Sequence, residues 1–164
     1  MKHTISVLVE NNAGVLSRVS GLFARRGYNI HSLAVGVTED ENISRITIVA
    51  EGDDYILEQI EKQLNKLIDV IKVRSLSADE LLARELVLAK INCTPAQRGE
   101  VIAIAEITKA KISDVCSGAM TLELSGNINT INTFVELIKP FGIKEMARTG
   151  TLAMQKGETA TVEG

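Results

Sequence analysis

The side chains able to hold a ligand sit at the two ends of one stretch, ENNAGVLSRVSGLFARRGYNI, from Glu10 to Ile30. Free N–H groups at the start of a helix attract a carboxylate, and Gly14, having no Cβ, lets a ligand come close to such donors along the Ala13 to Leu16 backbone. The amide oxygen of Asn11 or Asn29 can accept from an ammonium group, and Val15, Leu16 and Ile30 supply an apolar wall. Together these parts suit an aliphatic amino acid. The same residues also read as punctuation, with Asn11, Asn12 and Gly14 forming a turn and helix cap and Asn29 tolerating the left-handed conformation after Gly27. Spacing alone leaves both readings open.

Reactive groups are scarce. His3 and His31 are the only histidines, and Cys93 and Cys116 the only cysteines, with no C-x-x-C spacing and no ligand spacing that suggests zinc. Both cysteines read as small buried hydrophobes. There is no G-x-x-x-x-G-K-[ST] loop, no G-x-G-x-x-G turn and no G-x-S-x-G elbow, so nucleotide chemistry is not encoded. No catalytic residue and no metal site is expected in this chain.

Composition narrows the partners. Of 164 residues, 45% are hydrophobic and 24% charged, which is enough apolar surface for a folded core. Aromatics are only 3% and tryptophan is absent, so the core must be aliphatic and stacking platforms are few. The formal net charge of -3 lacks the basic field that gathers phosphate polyanions, which argues against nucleic acid and anionic membrane. No apolar run approaches the ~20 residues that cross a bilayer, and the N-terminus does not read as a signal peptide, so a cytoplasmic location is expected.

The elements that must position these residues follow from periodicity. Thr4 to Val9 alternates as a strand with Ile5, Val7 and Val9 on one face. From Val15 the apolar positions Val15, Leu16, Val19, Leu22 and Phe23 form a helical stripe, with Arg18 outside it as a solvated residue. Arg25 and Arg26 fall in the last turn, where cations favour the helix dipole, and Gly27 can end the helix. Ile30 to Thr38 is a second strand, TEDEN a hairpin loop, and Ile43 to Ala50 a third strand. GDD opens a second helix through Ile56, Ile60, Leu64 and Leu67, and VIKVR from Val70 closes the unit.

This order of strand, helix, strand, strand, helix, strand predicts an α+β sandwich of the ferredoxin-like type, two helices covering one face of an antiparallel sheet. The second half repeats it through RELVLAKIN, a capping box at Thr94-Pro95-Ala96-Gln97, a helix through Val101, Ile102 and Ala105, KISDVC, AMTLELSG, a helix through Ile131, Phe134, Val135 and Ile138, and GIKEMAR. Two tandem βαββαβ domains are expected, residues 1–78 and 79–164, the second ending in a flexible tail after Gly150 with Leu152 and Met154 as its only anchors.

Two other occupants of this fold do not fit. The third strand carries no aromatic for stacking RNA bases. The first loop, ENNAG, has no cation to hold phosphate as an acylphosphatase-like site needs.

Asn11 to Arg18, followed by Gly27-Tyr28-Asn29-Ile30, resembles an ACT domain. More narrowly, NxAGxLSRVxGLFxRRGYNIxSL, SRITI and EQIEKQLNKLIDVIKV resemble the regulatory (small) subunits of acetolactate synthase, with a looser match at REL.L.KI and at ARTG in the second half. The resemblance implies a non-catalytic chain that activates a catalytic subunit joining two pyruvates, or pyruvate and 2-oxobutyrate, and makes it sensitive to valine in branched-chain amino acid biosynthesis. Thiamine diphosphate, magnesium and FAD are then expected in the catalytic subunit and no cofactor in this chain. It further implies a homodimer through the ACT domains, with valine between Asn11 and the Ala13 to Leu16 backbone of one chain and Asn29 and Ile30 of the other. Many ACT domains carry Asp-Arg-Pro-Gly where Asn12-Ala13-Gly14 follows Asn11 here, and one methylene is worth only ~1–3 kcal/mol in an apolar pocket, so leucine and isoleucine stay open as effectors. A stand-alone tandem ACT amino-acid sensor, controlling transcription or transport, is the alternative, and a small enzyme a third.

Overall fold

In a computed structural model of the chain, which describes residues 1–162, the alternation at Ile5, Val7 and Val9 becomes β1 (Lys2–Glu10). The helical stripe becomes α1 (Val15–Arg26), which buries Val15, Val19, Leu22 and Phe23 and ends at Gly27 with φ 67°. β2 (Asn29–Val37) and β3 (Ile43–Glu51) form the hairpin, α2 (Asp54–Asn65) follows, and β4 (Val70–Leu76) closes the motif. The Asp53 side chain starts α2 by accepting from the Ile56 N–H at 2.9 Å, which satisfies one of the donors every helix start leaves free.

The four strands pair antiparallel in the order β2-β3-β1-β4, leaving β2 at an edge. Register sets Val7 opposite both Ile46 and Val73, and Ile5 opposite Ile48, so one face is uniformly aliphatic. Both helices pack there, closing a core with Ile60 and Leu64 of α2 fully withdrawn from water. Tyr28, just past the helix end, meets Phe23 edge to face with ring centres 6.1 Å apart. The two aromatics thereby tie the α1–β2 turn to the core.

The second unit repeats the plan with β5 (Leu81–Asn92), α3 (Arg98–Thr108), β6 (Lys111–Val115), β7 (Ala119–Gly126), α4 (Ile128–Ile138) and β8 (Ile143–Arg148), in the order β6-β7-β5-β8. Thr94 and Gln97 make the expected capping box ahead of α3. Val87, Ala89 and Ile91 of β5 face Val101, Ala105, Ile131, Phe134 and Ile138 across the core. Ile102, read from sequence as part of the apolar stripe, is 42% exposed. Glu85 is buried and bidentate with Arg148, at 2.7 and 3.2 Å.

The chain divides into residues 1–82 together with the segment from Thr151, and residues 83–150. The sequence-based division at residue 78 gave that C-terminal segment to the second domain as a frayed tail. Rather than fraying, it forms β9 (Leu152–Gln155), which pairs with β5, and then continues along the first unit, on the sheet face turned away from the helices. Its backbone is the anchor: Thr151 N–H donates to Ser32 Oγ at 2.8 Å, while Arg45 and Arg74 donate to the carbonyls of Ala153 and Ala160 at 2.5 and 3.1 Å. Ala153 is buried, whereas the expected anchors Leu152 and Met154 are more than half exposed. A segment so poor in apolar residues is held by groups that sequence patterning does not register.

Candidate functional site: the first loop and the start of α1

Loop residues Asn11 to Gly14 join β1 to α1, and hydrogen bonds fix their shape. Asn11 N–H donates to the Asn42 carbonyl at 2.8 Å and Asn11 Nδ2 to the Glu41 carbonyl at 2.9 Å. The loop is thereby tied to the β2–β3 hairpin. Because the Asn11 amide spends its nitrogen on Glu41, its oxygen is the end left to accept. Asn12 Nδ2 donates to Glu10 Oε2 at 3.0 Å.

Gly14 takes φ 83° and ψ -5°, a left-handed conformation that favours glycine. No side chain caps α1 and no acid stands in its first turn, so the helix start presents donors without a resident counter-charge. Ala13 and Gly14 are exposed beside them. Val15 is buried in the core and its N–H donates to the Asn12 carbonyl at 3.4 Å, while Leu16 is 44% exposed and supplies apolar surface.

Asn29 opens β2, with Nδ2 donating to Glu51 Oε2 at 3.0 Å, so its oxygen is also left to accept. Ile30 is half-buried against the core, and the β2–β3 register shifts between Ile30 and Ser32, placing His31 at a bulge. Within one chain Asn11 and Asn29 lie at opposite ends of a 12-residue helix, about 18 Å long at 1.5 Å per residue. They do not form one pocket in a single copy.

Arg18 is a surface residue, as the sequence reading placed it, with its side chain 48% exposed, yet it is anchored. Its Nε and Nη2 reach Asp69 Oδ2 at 2.7 and 2.6 Å, and the carboxylate side chain is only 11% exposed. The guanidinium lies over the loop, with Nη1 3.1 Å from where a Cβ on Gly14 would stand. One signal was available: helical side chains lean toward the N-terminus, so a residue four after Gly14 overhangs it. Its partner, far along the chain, gave none.

The remaining reactive groups are dispersed. His3 Nε2 contacts the Gly52 carbonyl and His31 Nε2 the Lys2 ammonium. Among the described residues no three His, Cys, Asp or Glu side chains gather as a metal would require. Cys93 is buried as expected, but Cys116 is exposed, because it follows β6 at the hairpin turn rather than lying within a core strand. Among the described residues no helix is long and apolar enough to cross a membrane.

A βαββαβ sandwich with a glycine-hinged first loop, followed by a second sandwich of the same plan, is a tandem ferredoxin-like protein whose first domain is of the ACT type. The family model for the acetolactate synthase small subunit-like ACT domain matches residues 5–72, and the model for the small subunit of acetolactate synthase matches residues 84–157. The chain belongs to the acetolactate synthase small-subunit family. A probable acetolactate synthase small subunit from Archaeoglobus fulgidus is 50% identical over 157 residues, covering 96% of this chain and 98% of that protein. The acetolactate synthase small subunit of Mycolicibacterium smegmatis is 45% identical over 155 residues, covering 94% and 91%. The crystal structure of the acetolactate synthase small subunit from Thermotoga maritima superposes with a TM-score of 0.91 at 37% identity, covering 97% of this chain and 99% of that one.

Proposed function

We propose that this chain is the regulatory subunit of an acetolactate synthase, activating a thiamine-diphosphate-dependent catalytic subunit and making it sensitive to valine. Similarity to small subunits along nearly the whole chain supports the catalytic partner. Thiamine diphosphate, magnesium and FAD belong, on this reading, to that partner. The observation that carries the effector role is the uncapped start of α1 beside left-handed Gly14, with no acid in the first turn. Its donors suit the carboxylate of valine, and the outward oxygens of Asn11 and Asn29 suit the ammonium.

Two copies complete the pocket in this proposal. β2 is an edge strand, and Val35 and Val37 on it are 44% and 62% exposed, so a second copy pairing there brings Asn29 of one chain toward Asn11 of the other. Valine bridging the two copies favours one arrangement of the dimer and lowers the activity of the attached catalytic subunit. Such coupling is commonly worth ~1–3 kcal/mol and is reciprocal for binding. Valine affinity therefore changes by the same factor when the catalytic subunit binds.

The test is reconstitution of the full chain with the catalytic subunit from the same source, followed by valine titration. Activation and valine inhibition are expected, with inhibition weakened in Asn11→Ala and Asn29→Ala while activation persists. Wild-type inhibition in both variants would remove the pocket assignment, and failure to recover any catalytic subunit would favour the stand-alone sensor.

A further inference from the structure

The opposite face of the first unit's sheet carries a feature that the effector pocket does not use. A cavity of about 570 Å³ opens between the end of the β2–β3 hairpin and the C-terminal segment, walled by Leu8, Val37, Ile43 and Met154, with Arg45 in its lining. Its size falls within the ~300–1,000 Å³ common for small-molecule sites. Arg45 makes one hydrogen bond, to the Ala153 carbonyl, and among the described residues no carboxylate pairs with it. A guanidinium carries five N–H donors, so most of its capacity is unspent. Burial pushes the Arg45 pKa below its ordinary value, as follows when a cation is partly withdrawn from water.

Such a group gains from an anion able to take two of its donors, as a carboxylate does. The rim limits which anion. Glu39, Asp40 and Glu158 also line the cavity and are exposed, so they repel a polyphosphate and favour a ligand with its own positive charge. The aliphatic walls ask for an apolar body. We infer that this cavity is a second ligand site, for an apolar α-amino acid held by its carboxylate on Arg45 and its ammonium toward the rim acids. It is separate from the pocket at Gly14, although both border the β2–β3 hairpin, which Asn11 holds through the Glu41 and Asn42 carbonyls.

The C-terminal segment forms one wall, so occupancy is read by trypsin cleavage after exposed Lys156, with leucine as the probe on the full chain. Cleavage of an opened segment slows by 1 + [L]/Kd, about fivefold at four times Kd. This protection is expected in wild type and in Asn29→Ala, and is expected to vanish in Arg45→Gln, each compared with its own ligand-free rate. 3-Methylbutylamine, which lacks the carboxylate, is expected to protect none of them. No protection by leucine, protection surviving in Arg45→Gln, or protection lost in the asparagine variant while kept in Arg45→Gln overturns the inference. Leucine-soaked crystals give a second measurement, and empty density beside Arg45 overturns it equally. Loss of valine inhibition is not a readout, so failure of the Gly14 pocket leaves these outcomes unchanged.

Discussion

Gly14→Asp, set against Gly14→Ala, separates backbone strain from charge at the helix start. Both variants place a Cβ on a residue with φ 83°, 3.1 Å from Arg18 Nη1. Because the contact is with the end of a flexible side chain, Arg18 can yield, and the cost is mainly the left-handed conformation, ~1–2 kcal/mol. For a chain of this size melting as one unit, that lowers the melting temperature by about 2–8 °C. Aspartate alone adds a negative charge ~4–5 Å from a ligand carboxylate, worth about 3–4 kcal/mol of repulsion at an effective dielectric near 20. Pairing of the new carboxylate with Arg18 offsets at most ~1 kcal/mol, and screening by salt at this exposed loop takes a further part. The remaining ~2 kcal/mol corresponds to about a 30-fold loss of valine affinity beyond that of the alanine variant. Calorimetric titration of each variant, with inhibition of the reconstituted enzyme in parallel, reads this difference. Equal valine responses from two variants that both melt as calculated would refute a carboxylate at the start of α1.

Three further changes probe the scaffold. Arg148→Met leaves Glu85, 5% exposed, without its partner, so urea unfolding is expected to show a loss of about 3 kcal/mol, much of it recovered by adding Glu85→Gln. Asp53→Ala removes the α2 cap and is expected to cost ~1 kcal/mol by the same measurement. The Glu61 pKa is raised from 4.5, first by burial and then by Glu58, against an opposing effect of His3. The folded state thus holds that proton more tightly than the unfolded one, and stability falls as pH climbs from 4.5 through the raised value. Glu61→Gln is therefore expected to melt higher than wild type at pH 7, with the difference fading below pH 4.5. Parallel pH–melting curves for the two proteins would contradict it.

Local patterns carried most of the fold. The strands around Val7 and Ile48, the α1 stripe, the stop at Gly27 and the Thr94 box all depend on residues within one or two turns of each other. What escaped was settled at long range. Arg18 could be placed near Gly14 by helix geometry, yet its capture by Asp69 required knowing which side of the sheet the α2–β4 turn approaches. The C-terminal segment offers small and polar residues that resemble a loose end, and two arginines from β3 and β4 hold its carbonyls. Cys116 shows the limit of composition, since a residue type that favours the interior follows a strand at its exposed turn. The candidate residues stand out in the sequence as a cluster of turn chemistry, while the separation of Asn11 from Asn29 by the length of α1 follows from the helix alone.

The unpaired margin of β2 has a bearing on dosage. If sensing requires that margin to be completed by another copy, the ligand is taken up only by assembled pairs, and diluting the chain blunts its response before any metabolite level changes. Such a protein reports on its own abundance along with that of the small molecule it watches.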